Sequence, residues 1–128
     1  IKDVWFYKFQ FGGYMHKAGI LAAACIYGLE HNIQLLHTVL ENTRLLSNYL
    51  HQLPFIKIEL EHVETNIILL TIEHEHLTAA DFEKELAKMS VRVYAFDRAK
   101  IRIVMHFDIG LTEVEYIKNA FEEIGMKK

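Results

Sequence analysis

The sequence predicts an α+β domain: a small, largely antiparallel four-stranded sheet with helices packed on one face, preceded by two long helices. Three observations predict it. Up to Pro54 the apolar residues recur at helical spacing. After Pro54 come four short segments of period-two alternation or branched apolar residues. Two amphipathic stretches with helix-start signals, at Thr78 and Thr112, separate and follow them.

Taken in order, Gly12-Gly13 marks a turn or a close backbone approach. A helix is expected over 15–30. Its stretch AGILAAACIYGL is apolar all round and mostly small, the pattern of a helix buried on several sides. Cys25 within it reads as a small core residue rather than a nucleophile. His31-Asn32 interrupts or bends the chain. A second helix is expected over 32–53, with Leu36, Leu40, Leu46, Leu50 and Leu53 forming one stripe, Thr43 between them, and Glu41, Asn42, Arg44, Ser47 and Asn48 off it. Pro54, the only proline, ends it.

Residues 56–61 alternate strictly, with Ile56, Ile58 and Leu60 inward and Lys57, Glu59 and Glu61 outward. That is a half-exposed strand. Residues 66–72 are apolar on both faces, which predicts a central strand. A helix over 79–89 carries Phe82, Leu86 and Met89 on one side, with Thr78 as N-cap and Asp81 in the first turn. Residues 91–96 and 100–107 form a hairpin around Asp97-Arg98-Ala99. The last helix starts at Thr112 with Glu115 as its capping-box partner. Val114, Ile117, Phe121 and Ile124 make its stripe, and Gly125 stops it.

A chain of 128 residues, 52 % apolar and 24 % charged, has the size and composition of one globular domain. The net charge is −3, and apart from Lys127 and Lys128 the cations are scattered. This gives no footprint for nucleic acid or an anionic membrane surface. The longest apolar run, 18–29, is too short to span a bilayer and contains Gly28. With Cys25 alone no intrachain disulfide forms, and a reducing cytoplasm is the expected compartment. The chain starts at Ile1, and Trp5, Phe6, Phe9 and Phe11 follow closely. Such aromatics are costly to expose, and they are expected to pack on an upstream segment of a longer protein.

The chemistry is incomplete. None of the eight histidines forms a His-x-x-x-His pair. Glu73-His74-Glu75-His76 comes nearest to a metal set and reads as a solvated loop. No phosphate loop and no Gly-x-Ser-x-Gly elbow is present. Two fragments of a site stand out. One is the glycine turn before the apolar helix. The other is the strand around Arg102, where Ile101, Ile103 and Met105 share one face and Arg102, Val104 and His106 the other. Arginine presents a planar fork of donors suited to a carboxylate. That face is either open to water or lines a cleft that receives an anion.

These two fragments, in this order, resemble the C-terminal part of low-specificity threonine aldolases, in the β-eliminating lyase group of fold-type-I enzymes that use pyridoxal phosphate. The family pattern Arg-Lys-x-x-Gly-Gly-Gly-Met-Arg-Gln-Ala-Gly, followed by an alanine-rich helix, is matched by Lys8-Phe9-Gln10-Phe11-Gly12-Gly13-Tyr14-Met15-His16-Lys17-Ala18-Gly19. The family's Thr-Asn strand start is matched by Thr65-Asn66. Its Arg-hydrophobic-Val-Thr-His-x-Asp strand is matched by Arg102-Ile103-Val104-Met105-His106-Phe107-Asp108. The resemblance runs roughly from Trp5 to Glu123.

The resemblance implies that 1–31 is a glycine turn and buried connecting helix, that 32–128 is the C-terminal small domain, and that the large domain holding the cofactor lysine lies outside this chain. It implies no catalytic residue and no metal ligand here. Arg102 is implied to clamp the substrate carboxylate, and His106 to support it. Gly12, Gly13 and His16 are implied to approach the cofactor phosphate of a neighbouring subunit. The implied reaction cleaves L-threonine or L-allo-threonine to glycine and acetaldehyde, with the cofactor as electron sink. The intact protein is expected to be a homodimer or homotetramer, and this chain alone inactive. Phe9 and His16 stand where the family has Lys and Arg, Tyr14 where it has a third glycine, and Met105 where it has Thr. Lys8 and Lys17 are the neighbouring cations that would have to compensate. Two other readings remain open: a related lyase doing β-elimination, and a non-catalytic module that binds an amino acid or a partner domain.

Overall fold

The computed structural model describes residues 2–13 and 15–126. Ile1, Tyr14, Lys127 and Lys128 lie outside the described residues. The chain divides into two compact units, one up to Ile33 and one from Gln34.

The first unit holds helices α1 (Lys2–Gln10) and α2 (Ala18–His31). The aromatic start, with no element expected for it, is helical. Helix α1 ends in a Schellman cap: Gly12 N–H donates to the Phe9 carbonyl at 3.2 Å and Gly13 N–H to the Lys8 carbonyl at 2.7 Å. Gly12 takes the left-handed conformation the cap requires, with φ 69°. A Cβ on Gly13 would stand 3.2 Å from the Lys8 carbonyl oxygen. Both readings of the glycine pair, turn and close approach, therefore hold together.

Helix α2 starts at Ala18 rather than at 15, because Lys17 is left-handed at φ 56° and breaks the helical run. The expected burial of this helix is not found: none of its residues is buried, and Cys25 is exposed. An all-apolar helix signals that some surface covers it, and periodicity cannot say that the surface belongs to the same chain.

The second unit runs α3 (Leu35–His51), β1 (Ile56–Lys57), a 3₁₀ turn (Leu60–His62), β2 (Ile67–Ile72), α4 (Ala79–Lys88), β3 (Tyr94–Ala95), β4 (Lys100–Val104) and α5 (Leu111–Gly125). This is the α+β class expected. The four strands lie in the order β1-β2-β4-β3, every pair antiparallel. Ile56, Ile68, Leu70, Ile72, Ile101 and Ile103 are buried on one face, under α3, α4 and α5. The expected central place of 66–72 is correct, but its burial on both faces is not. Ile67 and Leu69 are exposed on the outer face.

Other boundaries shift for physical reasons. The first strand stops at Lys57, although Ile58 is still buried, because the chain then winds into the 3₁₀ turn at Leu60. The stripe of α3 is Val39, Thr43, Leu46 and Leu50, while Leu36 is exposed. Asn42 and Ser47, expected off the stripe, are buried because each has a partner. Asn42 Nδ2 donates to the Ile109 carbonyl at 2.9 Å, and Ser47 Oγ to the Thr43 carbonyl at 2.8 Å. Helix α5 begins at Leu111, not Thr112. Glu113, not Glu115, reaches back, accepting the Gly110 N–H at 2.9 Å.

The core is closed by an aromatic cluster. Phe82 stacks on Phe121 with ring centres 6.0 Å apart and meets Phe55 at 5.8 Å. The Phe55 ring lies directly on Gly125, where a Cβ would clash with it. The expected Thr78 cap forms as a full capping box with Asp81. At its other end α4 closes in a Schellman cap on Ser90, with φ 61°.

Two outcomes follow from these caps. Ser90→Gly should stabilise the chain by about 0.5–1 kcal/mol, because glycine adopts the left-handed conformation without a Cβ penalty; urea unfolding checks it. The Thr78 hydrogen bonds, with Lys84 adding a smaller effect, hold the Asp81 carboxyl below its ordinary value of 3.8. A depressed folded value means the contribution is complete above pH 3.8 and is lost as pH falls through the folded value. Between pH 6 and pH 3, Asp81→Asn should therefore lose less stability than the native chain.

Candidate functional site

The outer face of the sheet carries Arg102, the candidate carboxylate-binding residue. Alternation in β4 buries Ile101 and Ile103 and so turns Lys100, Arg102 and Val104 outward. Register then builds rows across the face. Leu69, Arg102 and Tyr94 stand side by side on β2, β4 and β3. Lys57, Thr71 and Lys100 form the next row. Beside them lies an open hollow of about 730 Å³ whose walls include Lys57, Ile67, Leu69, Thr71, Phe96 and Lys100.

Arg102 is exposed, and its guanidinium carbon lies 5.3 Å from the centre of the Tyr94 ring. Among the described residues no carboxylate pairs with it. Of the two states left open by the sequence, the chain itself shows the outward one, with the donor fork unspent. Tyr94 was missed by sequence reasoning. The signal was there: centring the hairpin turn on Arg98 pairs position 94 with position 102.

His106 follows the strand rather than sitting in it, since β4 ends at Val104 and not at 107. The burial alternation nevertheless continues, with Met105 buried and His106 exposed like Arg102. No hydrogen bond among the described residues joins His106 to Arg102. His106 Nδ1 instead accepts the Asp108 N–H at 3.3 Å and lies 3.5 Å from the Asp108 carboxylate.

Asn66 fixes where this segment leaves the sheet. Its side-chain Nδ2 donates to the Met105 carbonyl at 2.7 Å, and its own carbonyl accepts the Met105 N–H at 2.8 Å. Thr65 Oγ1 accepts the Ile67 N–H at 3.3 Å and shapes the approach to β2. Asn66 therefore acts as a clasp on the residue before His106.

Gly12, Gly13 and His16 lie in the first unit. Both glycine N–H groups are spent on the cap of α1, so neither is free to donate to a phosphate. His16 is exposed in the turn before α2. Lys8 lies with its Nζ 4.7 Å from the Trp5 ring centre, and Lys17 sits outside the helix. Neither lysine occupies a helical phase next to His16.

The 73–76 run is more organised than a solvated loop. His74 Nδ1 accepts N–H bonds from His76 and Leu77 at 3.2 and 3.1 Å, and Nε2 reaches the Gly125 carbonyl at 3.3 Å. The ring also packs edge-on against Phe55 and Phe82. It is a structural histidine that ties the end of β2 to the end of α5. Among the described residues no group of three or more His, Cys, Asp or Glu side chains is placed to hold a metal ion. Likewise, no described helix is long and apolar enough to cross a membrane.

Residues 1–75 match the family model for β-eliminating lyases. The chain is 31 % identical over 113 residues to low-specificity L-threonine aldolase 1 of Arabidopsis thaliana, covering 88 % of this chain and 32 % of that protein. It is 33 % identical over 124 residues to a probable low-specificity L-threonine aldolase 2 of the same plant, covering 96 % and 35 %. It thus spans about a third of the length of the relatives it matches. Among solved structures it resembles a mutant of the lyase C-DES with glycine covalently linked to its PLP cofactor, at TM-score 0.64 and 17 % identity, over 80 % of this chain and 27 % of that one.

Removing the clasp should be visible. Asn66→Ala leaves the Met105 carbonyl without its side-chain donor and should cost about 1–2 kcal/mol in urea unfolding. Asn66→Asp, which keeps the shape but not the donor, should cost at least as much.

Proposed function

The chain belongs to the β-eliminating lyase family, and on that premise we propose that it is the C-terminal part of a pyridoxal-phosphate-dependent lyase of the threonine aldolase type. In this reading the whole protein cleaves L-threonine or L-allo-threonine to glycine and acetaldehyde. The observation that carries it is Arg102: a fixed cation on the outer face of a central strand, its fork unspent, at the family's Arg-hydrophobic-Val position.

The residues of this chain do not by themselves fit the cofactor. The glycine amides at positions 12 and 13 are committed to the helix cap, and no lysine here takes the place of the cofactor lysine. The cofactor, which supplies an electron sink when bound, is accordingly held by residues outside this chain. What this chain contributes is orientation. A bidentate arginine fixes both the position and the direction of a substrate carboxylate, and so sets which bond at the α-carbon is presented for cleavage. His106 supports from the strand exit, its position set by Asn66.

Coverage by other parts of the protein fits the exposed apolar surfaces. Trp5, Phe6, Phe9, Ile20, Leu21 and Leu29 are exposed in the first unit, and Ile67 and Leu69 on the sheet. In this reading they meet the large domain or a second subunit of a homodimer or homotetramer in the cytoplasm.

The tests are direct. In the full-length protein, added pyridoxal phosphate should give a visible absorption band that shifts on L-threonine. Arg102→Ala should lower kcat/KM by about 10²- to 10³-fold, roughly 3–4 kcal/mol, and Arg102→Lys should recover only part of it. Product analysis separates the alternatives: acetaldehyde and glycine mark an aldolase, whereas ammonia and a keto acid mark β-elimination. For this chain alone, borohydride reduction with pyridoxal phosphate should fix no stoichiometric cofactor.

A further inference from the structure

We infer that Tyr94 is a positioning residue for Arg102, holding the guanidinium over the outer face of the sheet with its donors free for a carboxylate. The inference rests on the reading of Arg102 as the carboxylate clamp.

The geometry is a cation over an aromatic ring. Tyr94 and Arg102 are register partners on β3 and β4, and the guanidinium carbon lies 5.3 Å from the ring centre. Phe96 stacks on the other partner, its ring centre 6.5 Å from that of Tyr94 and its plane tilted by 20°. On the β2 side Arg102 faces Leu69, which has no polar group to offer. The Tyr94 ring is therefore the group that orients the arginine across strands.

Chemistry decides why a ring suits this place better than an acid. Guanidinium N–H bonds lie in the plane of the group and point outward from its edge. A carboxylate would hold the arginine by those same bonds and occupy the fork. An aromatic face attracts the cation while leaving the edge unspent. An arginine on an open face without such a contact samples many rotamers, and binding an anion must then freeze them. Tyr94 restricts them beforehand. The contact needs the ring and not the hydroxyl.

The experiment has a binding arm and a spectroscopic arm. In the full-length protein, KM for L-threonine and the inhibition constant of glycine are measured for Tyr94→Ile, Tyr94→Phe and Arg102→Ala. In the 128-residue chain, NMR follows the Arg102 side-chain protons, which a nearby ring face shifts upfield. Tyr94→Ile should raise both constants about two- to five-fold with a smaller change in kcat, and Tyr94→Phe should restore them. The upfield shift should be present in the native chain, kept with Phe and lost with Ile. If Arg102→Ala raises the constants and Tyr94→Ile does not, the positioning role is overturned while the clamp stands. If Arg102→Ala leaves them unchanged, the clamp itself falls, and the role of Tyr94 falls with it. Equal effects of Ile and Phe would overturn the ring contact in favour of the hydroxyl. An unshifted Arg102 signal in the native chain would overturn it outright, without reference to any variant.

Discussion

The register between β2 and β4 is the constraint on which the candidate site depends. Ile68 faces Ile103 and Leu70 faces Ile101, all four buried under the helices. A slip of one residue would turn Arg102 and Lys100 into that core and Ile101 and Ile103 out to water. An unpaired guanidinium there is far costlier than any gain elsewhere in a two-layer domain of this size. The apolar core thus fixes the outward direction of Arg102, and the hairpin about Arg98 fixes its neighbour Tyr94. The site needs no special device to place it. It is the reverse side of the packing.

The same logic separates what the sequence made legible from what it did not. Strand faces were readable because period two leaves each residue a single choice: Ile101, Ile103 and Met105 are buried as their alternation requires. Helix faces were less so. On α3 Thr43, Leu46 and Leu50 are buried as the stripe requires, yet Leu36 is exposed and Leu40 half-buried, and Val39 extends the buried line instead. Thr43 Oγ1 donates to the Val39 carbonyl at 2.6 Å, so a polar residue enters the core already satisfied. Composition cannot show that in advance. His74 hid for the same reason, since nothing in Glu-His-Glu-His announces that one ring will accept two N–H bonds and reach a helix end 51 residues away. Caps divided similarly. Thr78 with Asp81 was readable because the donor and acceptor are both side chains, whereas Gly110 offers no side chain and gave no signal until Glu113 was seen to close on it.

Helix α2 marks the other limit of sequence reasoning. Its apolar residues on every side report that a surface must cover it, and the chain leaves all of them uncovered or half-covered. The outer face of the sheet repeats the pattern on a smaller scale, with Ile67, Leu69 and Val104 exposed among three cations. Hydrophobicity is a statement about the whole molecule in which a segment functions. Here that statement and the share of the relatives' length agree, because a chain spanning about a third of proteins like the threonine aldolases would display such faces.

The departures from the family pattern fall unevenly on the two fragments of the site. In the proposed reading the substrate side keeps its arginine, beside Tyr94, and the Asn66 clasp on Met105. In the proposed reading the phosphate side lacks the family's two fixed cations, at Phe9 and His16, while Lys8 lies over Trp5 and Lys17 in a left-handed turn. A phosphate carries nearly two negative charges near neutrality, so the loss falls where electrostatics matters most. In the proposed reading this chain therefore keeps the grip on the amino acid and loosens the grip on the cofactor.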